Sequence, residues 1–228
     1  MNNSNQPPSQ RILSNTIVLF LRMLLLTMVN LYSIRIILGR MGTEDYGIYN
    51  AVAGVVTISS FISGVLVLAI QRFYSYAMGA KQRDQLIKIF SISIKCSAIL
   101  ALIIFIILEL AGIWYIENKL VVPIEKIGIV TLCFHFAVIT FLCTILQIPF
   151  TSTIFAHEDM GIYAAISSVE CLLKLLVAFL IGKVFWDNLS FYCLGLMLVA
   201  ILIYISYALW GYNRYEECKH YINVKDTG

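Results

Sequence analysis

A charged side chain is costly inside hydrocarbon, so chemistry is sought first among the ionic residues that interrupt apolar runs. Arg22 stands within ILSNTIVLFLRMLLLTMVN. An ion at such a depth costs at least ~2.5 kcal/mol even on the lenient insertion scale. At about 100° per residue, Asn15, Arg22 and Ser33 fall within roughly 20° of one another on a helix, with Asn30 about 80° from Arg22. The segment therefore carries a polar stripe, and no acidic residue stands three or four positions from Arg22 to neutralise it.

Two more apolar runs carry charge. Tyr163, Ser167, Glu170 and Lys174 share one helix side, and Glu170 precedes Lys174 by four residues, the favourable order for an ion pair. Lys95 and Glu109 lie about 40° apart around a third helix and about 21 Å apart along it. The bland alternatives are that Glu170 and Lys174 neutralise each other inside a bundle, and that Lys95, Glu109 and Arg35 reach toward the interfaces. Cys133 and His135, two residues apart, point to different helix faces and make a poor metal pair. The acids of His157-Glu158-Asp159 are explained by helix-start chemistry better than by a metal, because consecutive loop residues seldom converge on one ion.

Catalytic signatures are missing. The sequence has no GxxxxGK[ST], HExxH, GxSxG or DxD, and no paired intramembrane carboxylates for magnesium. Neither enzymatic activity nor a metal or cofactor is expected. The six cysteines are scattered without a CxxC, and five lie in apolar runs as small hydrophobes.

The elements that must position these residues follow from composition. Apolar residues make up 60% of the chain and charged ones 13%, with a mean hydropathy of +0.86. A soluble domain averages roughly a quarter charged residues, so the expected environment is a lipid bilayer. Six stretches, 12–38, 48–70, 86–116, 127–150, 161–185 and 189–210, reach or exceed the ~20 residues that a helix needs to cross ~30 Å of hydrocarbon. The fold class read here is all-α integral membrane with six transmembrane helices. Residues 12–210 form the membrane unit, flanked by polar tails at 1–11 and 211–228. Pro123 sits between the third and fourth stretches, and Pro149 near the end of the fourth. Gly54 and Gly64 offer room for a close helix neighbour.

Basic residues set the orientation. Arg11, Arg72, Lys81, Arg83, Lys88, Arg214, Lys219 and Lys225 fall on the side of the termini, against Arg40, Lys119, Lys126 and Lys183 on the other, placing both termini in the cytoplasm. The net charge of +3 is mostly this topology signal, and no nucleic-acid partner is implied.

The octets EDYGIYNA (44–51) and EDMGIYAA (158–165) agree at six of eight positions, at an offset of 114 residues in a chain of 228. Acids in a first helical turn, with Thr43 as N-cap, account for the Glu-Asp pairs. They do not account for the recurring Gly-Ile-Tyr. The copies open the second and fifth helices, three crossings apart and hence on opposite faces, as two inverted three-helix units would place them. The residues that follow the two copies do not align, so repeat and coincidence stay open.

RIILGRMGTEDYGIYNAVAGVVTISSFISG, QRFYSYAMGA and IPFTSTIFAHEDMGIYAAISSVECLLKLL together resemble the polysaccharide and oligosaccharide lipid flippases of the multidrug/oligosaccharidyl-lipid/polysaccharide transporter superfamily, in particular O-antigen or capsule repeat-unit flippases. The resemblance implies one lobe of a MATE-like transporter in the bacterial inner membrane, moving an undecaprenyl-pyrophosphate-linked oligosaccharide between leaflets. It makes Arg22 the cavity residue for the anionic headgroup, with Lys95, Lys174 and Asn30 as further wall residues, while Glu170 becomes a site of ion coupling in the multidrug-exporter alternative below. Relatives have about twelve to fourteen helices, so this reading also expects a half or truncated transporter, completed by a second copy or a missing C-terminal lobe. The alternatives are half of a cation-coupled multidrug exporter and a non-transporting scaffold of glycan assembly.

Overall fold

The leucine-, isoleucine- and phenylalanine-rich runs become helices because a helix satisfies its own backbone groups where water cannot. The computed structural model describes residues 8–58, 60–80, 83–120, 122–183 and 187–219. These form α1 (Pro8–Ile58), α2 (Ser60–Gly79), α3 (Arg83–Asn118), α4 (Ile127–Leu146), α5 (Ile148–Ala156), α6 (Met160–Leu180), α7 (Asn188–Arg214) and α8 (Glu216–Lys219), with a 3-10 turn at Ile124–Lys126. No strand occurs among the described residues. Five helical stretches are long and apolar enough to cross a membrane: Leu13–Thr57, Asp84–Ile116, Ile127–Ala156, Met160–Leu180 and Asn188–Arg214. The architecture is that of an all-helical membrane protein.

The first of these is 45 residues long, about 68 Å at the usual rise, more than twice the hydrocarbon thickness. It is broken at Gly42, whose φ of 83° and ψ of 167° belong to a region essentially closed to side-chain-bearing residues. Residues 39–47, expected as a loop, are thus helical apart from this one break. The arms on either side of it have different partners. Along the first arm Asn15, Arg22 and Asn30 meet Glu158, Ser167 and Cys171 in turn, so it runs parallel to α6. Tyr163 lies against Tyr207 and Val177 against Gly195, so α7 runs antiparallel to α6. The second arm starts beside Lys126 and Asn188, at the N-terminal ends of α4 and α7, and passes Tyr192. It therefore runs with α7 and against the first arm, and the chain turns back at Gly42.

Two other boundaries differ from the expected spans. The stretch expected at 127–150 is two helices, α4 and α5, separated at Gln147; Pro149 in the first turn of α5 has no N–H to continue the ladder. The stretch expected to end at residue 70 continues as α2 to Gly79. The ends of the tails (1–7 and 220–228), Lys81 and residues 184 and 185 of the expected fifth helix lie outside the described residues.

The core centres on α4 and α7, where Val130, Phe134, Val138 and Ile145 pack with Cys193, Val199, Ile203 and Tyr207. Close approach occurs at Gly112 and Gly195, where an added β-carbon would overlap Phe134 and Val177. Gly54 and Gly64, expected to admit a neighbour, have open space instead. Leu102, Ile103, Ile106 and Leu110 of α3 and Leu21, Leu25 and Met28 of α1 stay exposed, as suits a protein whose solvent is lipid.

The repeated octets occupy opposite ends of the bundle. Glu44 and Asp45 both bind Lys126, at 3.1 and 2.7 Å, and hydrogen bonds to these carboxylates, Asp45 first, raise the pKa of Lys126. At the other end the Glu158 carbonyl accepts from Asn15. Asp159 occupies the N-cap of α6 but makes no side-chain cap bond, and its carboxylate instead accepts from Tyr215 at 2.7 Å. Of the pairings that an inverted repeat requires, the first arm of α1 with α6 and α4 with the second arm correspond. The extensive α4–α7 interface has no counterpart of comparable extent between α1 and α3.

Candidate functional site

The polar stripe of α1 faces the polar stripe of α6. Both stripes exist because one helix turn returns polar residues to the same side every three or four positions. Because the two helices run parallel, the stripes meet residue by residue. The Arg22 guanidinium donates through Nε to the Ser167 hydroxyl and through Nη2 to the Tyr163 hydroxyl at 3.3 Å, and its carbon sits 4.5 Å from the centre of the Tyr163 ring. Ser167 in turn donates to the Tyr163 carbonyl. The cation–π contact, worth about 0.5–2 kcal/mol, offsets part of the cost of holding a cation at this depth.

These groups open onto a cavity of about 200 Å³ lined by Arg22, Leu26, Asn30, Ser167, Glu170, Cys171 and Lys174. Lys174 and Glu170 form an ion pair at 2.6 Å, with side chains 43% and 29% exposed. That pair cancels itself, and Arg22 has no carboxylate partner among the described residues, so the pocket carries one uncompensated positive charge. A cationic wall beside a small polar cavity is suited to an anionic oxygen-bearing group, which guanidinium binds by two parallel hydrogen bonds.

Four of the five residues singled out from the sequence thus meet at one pocket: Arg22, Asn30, Glu170 and Lys174. Lys95 does not join them. It is exposed on α3, which packs on α2, α4, α5 and α8, away from the interface between α1 and α6. Lys95 therefore stands apart from this pocket. Arg35 is exposed, and Arg40 donates to the carbonyls of Phe179 and Ile181 at 2.6 and 2.8 Å, holding the C-terminal end of α6.

Two clusters escaped the sequence reading. Glu109 of α3 binds His135 Nδ1 at 3.0 Å. Their depth is a usable signal: Glu109 is nine residues before the end of α3 at Asn118, and His135 eight after the start of α4 at Ile127, so an antiparallel pair joined by a short connection brings them level. At the end where α6 begins, His157 binds Glu217 at 2.6 Å and stacks on Tyr215, 4.4 Å between ring centres. Burial, then Asp159, pushes the Tyr215 phenol up, and burial pushes up the Cys218 thiol. The His157 ring and the Asp159 carboxylate both meet Tyr215, and no group of three His, Cys, Asp or Glu side chains able to hold a metal occurs among the described residues. No protein-family model, curated protein or solved structure matches the chain.

Proposed function

We propose that this chain forms one six-crossing lobe of a transporter that moves an undecaprenyl-pyrophosphate-linked oligosaccharide across the bacterial inner membrane during cell-surface polysaccharide synthesis. The observation that carries this reading is Arg22, a cation on a membrane-spanning helix with hydroxyl and ring partners and no carboxylate among the described residues. A permanent charge so placed is suited to an anion that arrives and leaves, and a pyrophosphate at the membrane end of a polyprenyl carrier has the matching charge and oxygen geometry. Asn30 and Lys174 supply further donors on the same wall. The turn at Gly42 supports counting the first apolar stretch as two crossings, six in all. The excess of basic residues at the end shared by the start of α1, the connection from α2 to α3 and α8 supports cytoplasmic termini. A second such lobe, from another copy or a C-terminal continuation, encloses the cavity.

Arg22→Ala in a complete, active transporter abolishes glycan export to the cell surface while the protein still reaches the membrane. Full export by that variant contradicts the role and favours a scaffold of glycan assembly. A second reading has one observation behind it, the placement of Glu170 in the same cavity. In a cation-coupled drug exporter Glu170 binds the coupling ion, and proton- or sodium-dependent dye efflux lost in Glu170→Gln but kept in Arg22→Ala is its signature.

A further inference from the structure

We propose that Glu109 and His135 form a proton-binding site in the membrane-spanning part of the α3–α4 interface, separate from the Arg22 pocket. Both lie within stretches able to cross the membrane, Asp84–Ile116 and Ile127–Ala156. The imidazole Nδ1 and the carboxylate Oε1 are 3.0 Å apart, with side chains 39% and 20% exposed, and they lie about 14 Å and 12 Å from the ends of α3 and α4 at one end of the bundle. Imidazole is the one side chain whose ordinary titration falls between about pH 5 and 8. With a proton bound, imidazolium faces carboxylate and the pair is neutral. With the proton lost, one negative charge stays in an apolar belt that includes Ile106 and Leu110. The two states therefore differ in how strongly α3 is held against α4, which a static ion pair such as Glu170–Lys174 cannot offer.

Other charges do not compete for this proton. α4 is packed by α3, α7 and the second arm of α1. From α3, Glu109 faces His135, while Lys95 stands fourteen residues earlier, about 21 Å along the axis. From α7 and α1, Cys193 and Tyr49 line a pocket with Ala137 and Thr140, and both are uncharged at neutral pH. Lys126, at the N-terminal end of α4, is held by Glu44 and Asp45. The two elements also meet tightly beside the pair, Gly112 against Phe134, so proton occupancy acts on a packed contact. The site stands independently of the glycan reading, because its ligand is the proton alone.

The test is ¹⁵N-histidine and ¹³C-glutamate magnetic resonance on the full chain in lipid bilayers. The chain has three histidines, and loss of one signal in His135→Gln assigns it. In the unmodified protein the His135 nitrogen and Glu109 carboxyl signals are expected to change together over a single interval within about pH 5–8. Glu109→Gln is expected to change the proton affinity of His135 by about tenfold or more, through loss of the facing carboxylate. A His135 signal that stays constant across that range in the unmodified chain overturns the proposal, whether or not the variant folds. So does an affinity left within about twofold by Glu109→Gln.

Discussion

At the scale of residues, the hydroxyls of this bundle mostly bond within their own helix, while several charged side chains and Tyr215 reach across to another element. Arg22 reaches Ser167 and Tyr163, Lys126 reaches Glu44 and Asp45, and Asp159 accepts from Tyr215. The last pair makes a pH prediction. Burial and the Asp159 carboxylate raise the Tyr215 phenol above its ordinary value, so the native state keeps a proton that the unfolded chain releases near pH ~10. The stability from this group is fully present below that pH and is lost as pH rises above it. The difference in thermal unfolding between the unmodified protein and Tyr215→Phe should be constant between about pH 7 and 9 and shrink above ~10. Equal alkaline slopes in both proteins would show that Tyr215 is not the group responsible.

At the scale of elements, two glycines decide whether helices can turn or touch. Gly42 adopts a conformation that other residues reach only with strain, so Gly42→Ala should destabilise by about 1–3 kcal/mol. Gly112 leaves no room for a β-carbon against Phe134, and Gly112→Ala should cost about 1–3 kcal/mol while separating α3 from α4. Gly54→Ala, facing open space, is the control and should be neutral or slightly stabilising. Unfolding midpoints that fail to separate Gly42→Ala and Gly112→Ala from Gly54→Ala would contradict this account of the packing.

At the scale of the whole molecule, legibility in the sequence depended on whether a feature is carried by one helix or by two. The apolar runs and the stripes of α1 and α6 are periodic within a single helix, and the structure sets those stripes face to face. The level pairing of Glu109 with His135, and the latching of Tyr215 and Glu217 onto the corner before α6, depend on tertiary contacts that no periodicity contains. Lys95, a wall residue only by the family resemblance, stands on α3, which packs away from the pocket. The reversal near Gly42 was legible as the gap between two apolar stretches, whereas its making by a single break at Gly42 in otherwise helical backbone is seen only in the backbone conformation. Thr43-Glu44-Asp45 reads as a cap from sequence, whereas in the fold both acids bind Lys126.

The central claim is that the pocket between α1 and α6 holds the anionic headgroup of a lipid-linked glycan during transfer between leaflets. Its most direct test is transfer of an undecaprenyl-pyrophosphate-linked oligosaccharide in vesicles containing the complete transporter, followed by accessibility of the glycan to an externally added lectin. Rapid exposure with the unmodified protein, and exposure slowed to the rate of protein-free vesicles with Arg22→Ala, is the predicted result. Equal rates for the two proteins, both above the protein-free rate, would contradict it.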